Sequence, residues 1–315
     1  MQQEQSLLND EVLNELVQQC RQYTKDGAPA SYIPMLQRAD AAKLGICVAD
    51  QAGGIWQGGD AKDIFTIQSI VKILMFTCSL LDSGADLVSQ IVSVEPTSDG
   101  FNSITSLETK NNSKPLNPMI NAGAIACLTL VAGATLELKY ERILAFTREL
   151  AGNAGIAVDE AVYLSEKQTG SRNRALAHFM KSTGILDDSI DVEELLDAYF
   201  RICSILVSCQ DLARIALIYA GNGHHPVTGR EYFSKHIARS VKAAMVMCGM
   251  YDESGRVAVR IGLPTKSGVG GGILSIVPEQ YGIGIYGPAL NEKGSSIAGL
   301  VLLEKLSHYL DVSIF

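Results

Sequence analysis

Apolar positions recur at helical spacing from the start of the chain: Leu7, Leu8, Val12, Leu13, Leu16, Val17 and Cys20 share one side of a helix predicted over 7–24. Gly27-Ala28-Pro29 breaks that pattern. Residues 44–49 form a continuous apolar run of strand length, and Gly53-Gly54 is the turn of a hairpin. Its return strand opens with Ile55-Trp56-Gln57 and ends near Gly58-Gly59-Asp60. Residues 64–67 lead into a helix predicted from about Ser69 to Leu81. Helical periods then dominate to about residue 250, over 121–138, 141–151, 172–182, 192–208 and 210–220. Loops are expected at 96–100, 115–118 and 221–223. The end of the chain changes period. Residues 257–261, 272–277 and 281–286 alternate like three consecutive strands, and 297–310 closes as a helix.

Strands and a helix at both ends, with a helical block between them, predict an α/β (α+β) fold: an antiparallel sheet with flanking helices plus a large helical part. A length of 315 residues would also accommodate two compact units. The absence of repeats and of low-complexity linkers favours one catalytic domain over 1–315. Its α/β part is expected at about 1–65 and 250–315, and its helical part at about 66–249.

Composition narrows the function. The chain is 47% hydrophobic and 19% charged, which excludes disorder over most of its length. It carries 26 basic and 34 acidic side chains, a net charge of −8, with no Lys/Arg-rich run. A nucleic-acid backbone needs concentrated positive charge, so no nucleic-acid partner is expected. Met1-Gln2-Gln3-Glu4-Gln5-Ser6 has neither the basic nor the apolar region of a secretory leader. The longest uncharged apolar run, 122–136, is shorter than the roughly 20 residues of a bilayer span, so it is read as a buried helix and no membrane is expected. The cysteines number seven, an odd count without a C-x-x-C pair, which points to core thiols rather than disulfides or zinc. Together with the missing leader, these thiols lead us to expect a cytoplasmic protein.

The string Phe65-Thr66-Ile67-Gln68-Ser69-Ile70-Val71-Lys72 contains S-x-x-K. On a helix, positions i and i+3 share a face, so the Lys72 amine can approach the Ser69 hydroxyl. Serine is a poor nucleophile unless a base takes its proton, and a lysine whose ammonium is destabilised by burial can be that base. Ser69 also falls where free N–H groups gather at a helix start, suited to an oxyanion. The tetrapeptide alone equally describes an ordinary helix start with a surface lysine. The apolar Ile73-Leu74-Met75-Phe76 that follows argues for a buried one. Far downstream, Lys266-Ser267-Gly268-Val269-Gly270-Gly271-Gly272 adds a K-[ST]-G triplet whose glycines let the backbone approach a ligand closely. This order resembles that of serine acyl-transferases with the β-lactamase/transpeptidase-like fold.

Further strings make the resemblance specific. They are Tyr32-Ile33-Pro34, Asn117-Pro118-Met119-Ile120-Asn121-Ala122-Gly123-Ala124, Ser165-Glu166 with Arg172-Asn173, Tyr199-Phe200 with Cys203-Ser204, and Gly249-Met250-Tyr251-Asp252. With the two motifs above, in this order, the chain resembles the serine-dependent glutaminase family of bacterial single-domain type. The resemblance implies hydrolysis of L-glutamine to L-glutamate and ammonia through an acyl-enzyme, without a cofactor or metal, in a homo-oligomer, dimer or tetramer. It implies Ser69 as nucleophile, Lys72 as its activating partner and Tyr251 in proton transfer. The backbone N–H groups of Ser69 and Val269 would form the oxyanion hole. Tyr32, Gln68, Asn121, Glu166, Asn173, Tyr199, Tyr251 and Val269 would bind substrate.

These residue types suit glutamine. A carboxylate such as Glu166 matches the ammonium, and asparagine amides and tyrosine hydroxyls can donate to the carboxylate. Each also has an ordinary structural role open to it: Asn121 as a helix cap, Glu166 as a solvated charge, Tyr199 and Tyr251 as core aromatics. Two other functions fit the same motifs, a β-lactamase- or peptidase-like acyl-transferase and a non-catalytic ligand sensor. Two further patterns carry no site. Gly282-Ile283-Gly284-Ile285-Tyr286-Gly287 matches G-x-G-x-x-G, but Pro288 follows and the glycines are expected within a strand. His224-His225 lies in a Gly/Asn/Pro turn without metal-ligand spacing.

Overall fold

A computed structural model describes residues 8–97, 100, 102–104, 107 and 114–315. The opening hexapeptide, Leu7, and Ser98 and Asp99 of the expected 96–100 loop lie outside the described residues. Helix α1 (Asp10–Arg21) is capped by the Asn9 side chain, which accepts from the Val12 N–H. The hairpin β1 (Gly45–Asp50) and β2 (Ile55–Gly59) follows. Strand β3 (Phe65–Thr66) leads through a 3₁₀ turn, Gln68–Val71, into α2 (Lys72–Ile91). The helical region continues with α3 (Asn121–Thr129), α4 (Leu136–Ala151), α5 (Glu160–Thr169), α6 (Ser171–Ser182) and α7 (Val192–Cys203). After β4 (Leu206–Val207) come α8 (Cys209–Ala220), α9 (Lys235–Cys248) and α10 (Ser254–Arg260). The chain ends with β5 (Thr265–Ser267), β6 (Gly272–Val277), β7 (Tyr281–Tyr286) and α11 (Ile297–Leu310).

Five strands form one antiparallel sheet in the order β2-β1-β7-β6-β5, and β3 pairs with β4 separately. Alternation sorts the sheet residues between two cores. Ile46, Val48, Ile273, Ile283 and Ile285 join α1 and α11 in one apolar cluster. Cys47, Ala49, Leu274 and Ile276 face the other way, into the large cluster shared with α8 and the helical region. Helix α8 approaches closely because β7 offers glycine on that face. A Cβ on Gly282 would stand 2.1 Å from the Ala213 carbonyl oxygen, and one on Gly284 2.1 Å from that of Cys209. The G-x-G pattern is thus a packing device within a strand.

Several predicted elements need correction. Residues 257–261 are not a strand: Val257 and Ile261 bury one face of α10 and the turn after it, while Val259, between them, is 89% exposed. The strand expected there is β5, a few residues later. The helix predicted over 121–138 stops at Thr129, and Thr135 caps a new helix by accepting from the Leu138 N–H. The helix predicted over 192–208 ends at Cys203, and its last residues turn into β4. Helix α2 runs on past Leu81 to Ile91 across a kink at Gly84, where φ is 79°. No helix among the described residues is long and apolar enough to cross a membrane.

Candidate active site

The segment carrying Ser69 is fixed from both sides. The Ile67 N–H donates to the Ile205 carbonyl at 2.7 Å, anchoring the end of β3 beside β4. Gln68 then adopts a left-handed backbone conformation, φ 47°, which is rare and costly for a residue with a side chain. That reversal opens the 3₁₀ turn bearing Ser69. Ile67, Ile70 and Val71 around it are fully buried. Lys72, three residues on, begins α2 and is itself fully buried.

The glycine-rich run seats directly on this turn. Gly268 and Gly270 press against backbone: added Cβ atoms would stand 2.7 Å from the Ile67 carbonyl oxygen and 2.4 Å from that of Thr66. The Gly268 N–H donates to the Gly272 carbonyl, and Gly271, with φ 96°, closes the turn. This brings Val269 to the same cavity as Ser69.

That cavity opens to solvent, and about 530 Å³ lies between its walls when its mouth is counted. Its walls include Tyr32, Gln68, Ser69, Asn121, Glu166, Asn173, Tyr199 and Val269. The polar groups form a connected set. Lys72 Nζ donates to Asn121 Oδ1 at 2.7 Å and to the Met119 carbonyl at 3.2 Å. Asn121 Nδ2 donates in turn to Asn173 Oδ1 at 2.8 Å. Gln68 Nε2 lies 3.5 Å from Glu166 Oε2 as donor.

Burial governs the ionisation of this set. It lowers the Lys72 pKa to about 8, against the opposing pull of Cys203 and Glu166. It raises the Glu166 pKa to about 7, although the Gln68 hydrogen bond and the Lys72 charge act the other way. Tyr251 lies behind the cavity at the start of a 3₁₀ turn, Tyr251–Glu253, and is also left-handed, with φ 57°. Burial raises its pKa, and a hydrogen bond with the Ser69 side chain opposes that rise. Lys266 is fully buried too. Its amine lies 4.1 Å over the Tyr251 ring and donates to the Ser267 carbonyl at 2.7 Å. Desolvation first, and the Lys72 charge second, hold its pKa well below the usual lysine value.

The residues singled out from sequence therefore come together around one cavity, with Lys72 and Tyr251 just behind its wall. The structural alternatives do not hold for several of them. Asn121 does not cap its helix: Ile120 occupies the cap position, and Asn117 Oδ1 instead accepts from the Met119 and Ile120 N–H groups. Glu166 is buried rather than a solvated charge. The cavity also takes in Ile33, Asn102, Thr169, Gly170, Arg172 and Cys203. Cys203 was within reach of sequence reasoning, since it lies four residues after Tyr199 on one helix face. Asn102 carried no signal. It is held by Arg172, whose Nε donates to the Asn102 carbonyl at 2.8 Å.

Comparison with known proteins identifies the family. A family model described as Glutaminase matches residues 27–315. A Clostridium tetani glutaminase is 52% identical over 303 residues, covering 96% of this chain and 98% of its own length. A Bacillus glutaminase crystallised in 4.3 M NaCl superposes with a TM-score of 0.90 at 38% identity, covering 97% of this chain and 99% of its own. A Bacillus subtilis glutaminase in covalent complex with 5-oxo-L-norleucine, formed by reaction with 6-diazo-5-oxo-L-norleucine, superposes with a TM-score of 0.88 at 36% identity, covering 97% and 99%. The fold is the serine β-lactamase-like one.

Proposed function

Because this chain belongs to the glutaminase family and hydrolyses L-glutamine to L-glutamate and ammonia, we propose that it does so through an acyl-enzyme on Ser69. Ser69 Oγ attacks the side-chain amide carbon, and its proton passes toward Lys72 Nζ. A neutral lysine amine has two N–H donors and one lone pair. Asn121 Oδ1 and the Met119 carbonyl engage two donors, so the lone pair can take the serine proton. The tetrahedral intermediate expels ammonia, which carries away a proton delivered through Tyr251. A γ-glutamyl ester remains on Ser69. Water then adds to that ester, returns a proton to Ser69 Oγ and releases glutamate.

The N–H groups of Ser69 and Val269 form the oxyanion hole in this reading, each such donor contributing about 3 kcal/mol to the transition state. Tyr32, Gln68, Asn121, Asn173 and Tyr199 bind the substrate, and Glu166 faces its ammonium. The observation that carries the proposal is the contact of the 268–272 run with the Ser69 turn, with a desolvated Lys72 one turn away.

The test is turnover and labelling. Ser69→Ala should lose more than about 10³-fold in kcat. The parent should gain the mass of one 5-oxo-L-norleucine unit after 6-diazo-5-oxo-L-norleucine treatment, and the mutant none. Full turnover by the mutant would reject the mechanism. We further infer that the chain acts as one catalytic domain, in the cytoplasm, as a homo-oligomer, dimer or tetramer. Seven buried free cysteines support a reducing compartment, and sedimentation would report the assembly.

A further inference from the structure

We propose that the segment joining β7 to α11, residues 287–296, is the frame that holds the active site together, with Asn291 its central positioning residue. This rests on the reading above that Tyr251 acts in proton transfer. None of the segment's side chains lines the substrate cavity, yet it touches three of the segments that build it.

Asn291 organises the frame. Its Oδ1 accepts from the Lys293 and Ser295 N–H groups at 3.0 Å each, fixing a tight turn. Its Nδ2 donates to both carboxylate oxygens of Glu253, at 3.3 and 3.1 Å. Glu253 is 5% exposed and ends the 3₁₀ turn that begins at the strained Tyr251. A buried carboxylate needs partners, and its ion-pair partner Arg256 stands 3.8 Å away, beyond hydrogen-bond distance. A second tie runs from Lys293 to Asp252 in the same turn.

The tip of the frame reaches the oxyanion side of the site. The Cβ position of Gly294 is 3.1 Å from Val269 Cγ1. Its base reaches the substrate side: Leu290 and Ala28 exchange backbone hydrogen bonds at 3.2 and 2.9 Å in an isolated bridge, four residues before Tyr32. Leu290, Val269, Ala30 and Ile33 share a small apolar cluster. The same few residues therefore fix the relative positions of Tyr251, Val269 and Tyr32. A displacement of about 1 Å at reacting groups can cost on the order of a hundredfold in rate.

The test reverses the polarity of the clamp. Asn291→Asp keeps the Oδ1 turn but sets a carboxylate against Glu253. It should lower kcat about tenfold with KM within about twofold, because the effect falls on proton transfer rather than binding. Glu253→Gln alone keeps an acceptor for Asn291 and should stay within about threefold of the parent. The double variant Asn291→Asp/Glu253→Gln restores a hydrogen bond with donor and acceptor exchanged, and should recover kcat to within about threefold. Unchanged kcat in Asn291→Asp, or a double variant no faster than Asn291→Asp, would overturn the proposal. Should Asn291→Asp fail to fold, the double variant still decides: near-parental kcat supports the clamp, and a tenfold loss rejects it. Tyr251→Phe, measured alongside, separates the two ideas. Full turnover by Tyr251→Phe would sink the role of the tyrosine itself, whereas loss in Tyr251→Phe with none in Asn291→Asp would sink only the frame.

Discussion

Two segments of the site begin the same way and are held by opposite means. Gln68 and Tyr251 each take a left-handed backbone and each open a short 3₁₀ turn. The Ser69 turn is held by hydrocarbon and by main chain. Ile67, Ile70 and Val71 are fully buried, and Gly268 and Gly270 press on the Thr66 and Ile67 carbonyls. The Tyr251 turn is held by side-chain polar groups: Ser254 Oγ, Asn291 Nδ2 and Lys293 Nζ. Packing against backbone resists displacement in every direction, whereas a hydrogen bond is directional and can be exchanged. Ser69 is thus the fixed point and Tyr251 the adjustable one.

The sharpest way to break this contrast is to add one methyl group on the fixed side. Gly270→Ala would place its Cβ 2.4 Å from the Thr66 carbonyl oxygen. We expect a loss of about 2–3 kcal/mol in stability and more than about 100-fold in kcat/KM, read by thermal unfolding and by ammonia release. A mutant with parental Tm and turnover would show that the turn is not held as described.

The pH profile probes the same side chemically. In the proposed mechanism Lys72 must be neutral to accept the serine proton, and with its pKa near 8 it is protonated below that value. Activity at saturating glutamine should therefore fall about tenfold per pH unit below pH 8. Glu166, with its pKa near 7, loses its negative charge as pH falls, and in the proposed mechanism it then attracts the substrate ammonium less. KM should rise below about pH 7. A kcat flat between pH 6 and 8 would exclude Lys72 as the base.

The smallest effect is expected at the adjustable turn. Ser254 Oγ donates to the Tyr251 carbonyl at 2.9 Å and accepts from the Met250 N–H at 3.1 Å. Ser254→Ala leaves that buried N–H without its acceptor, at a cost of about 1–2 kcal/mol in stability. Turnover should drop only about three- to fivefold, since the Asn291 tie remains. A loss as large as that of Gly270→Ala would erase the distinction between the two turns.

Much of this was legible in the sequence, and the failures have physical causes. Strands β6 and β7 and helix α11 start and stop at the residues their patterns gave, because alternation and caps there are undisturbed. Residues 257–261 misled because Val257, Val259 and Ile261 alternate as a strand would. Val257 in α10 and Ile261 just after it face the core, and Val259 points to water. The break after Thr129 was hidden by the apolar composition of 130–134. Strands β3 and β4, two residues each, are too short for any periodic signal. The cavity-lining residues named from sequence carried side-chain chemistry that glutamine needs. Asn291 and Lys266 could not be read this way. The role of Asn291 lies in contacts across the fold, and Lys266 shows its burial only once β5 is in place.

The contact of residues 66–68 with 268–272 joins two segments far apart in the chain at the candidate site. A nascent polypeptide must therefore extend at least through residue 272 before Ser69 meets the glycine run that completes its surroundings. Shorter nascent chains would carry Ser69 without these neighbours, so under the proposed mechanism glutamine turnover waits on the emergence of residues 268–272.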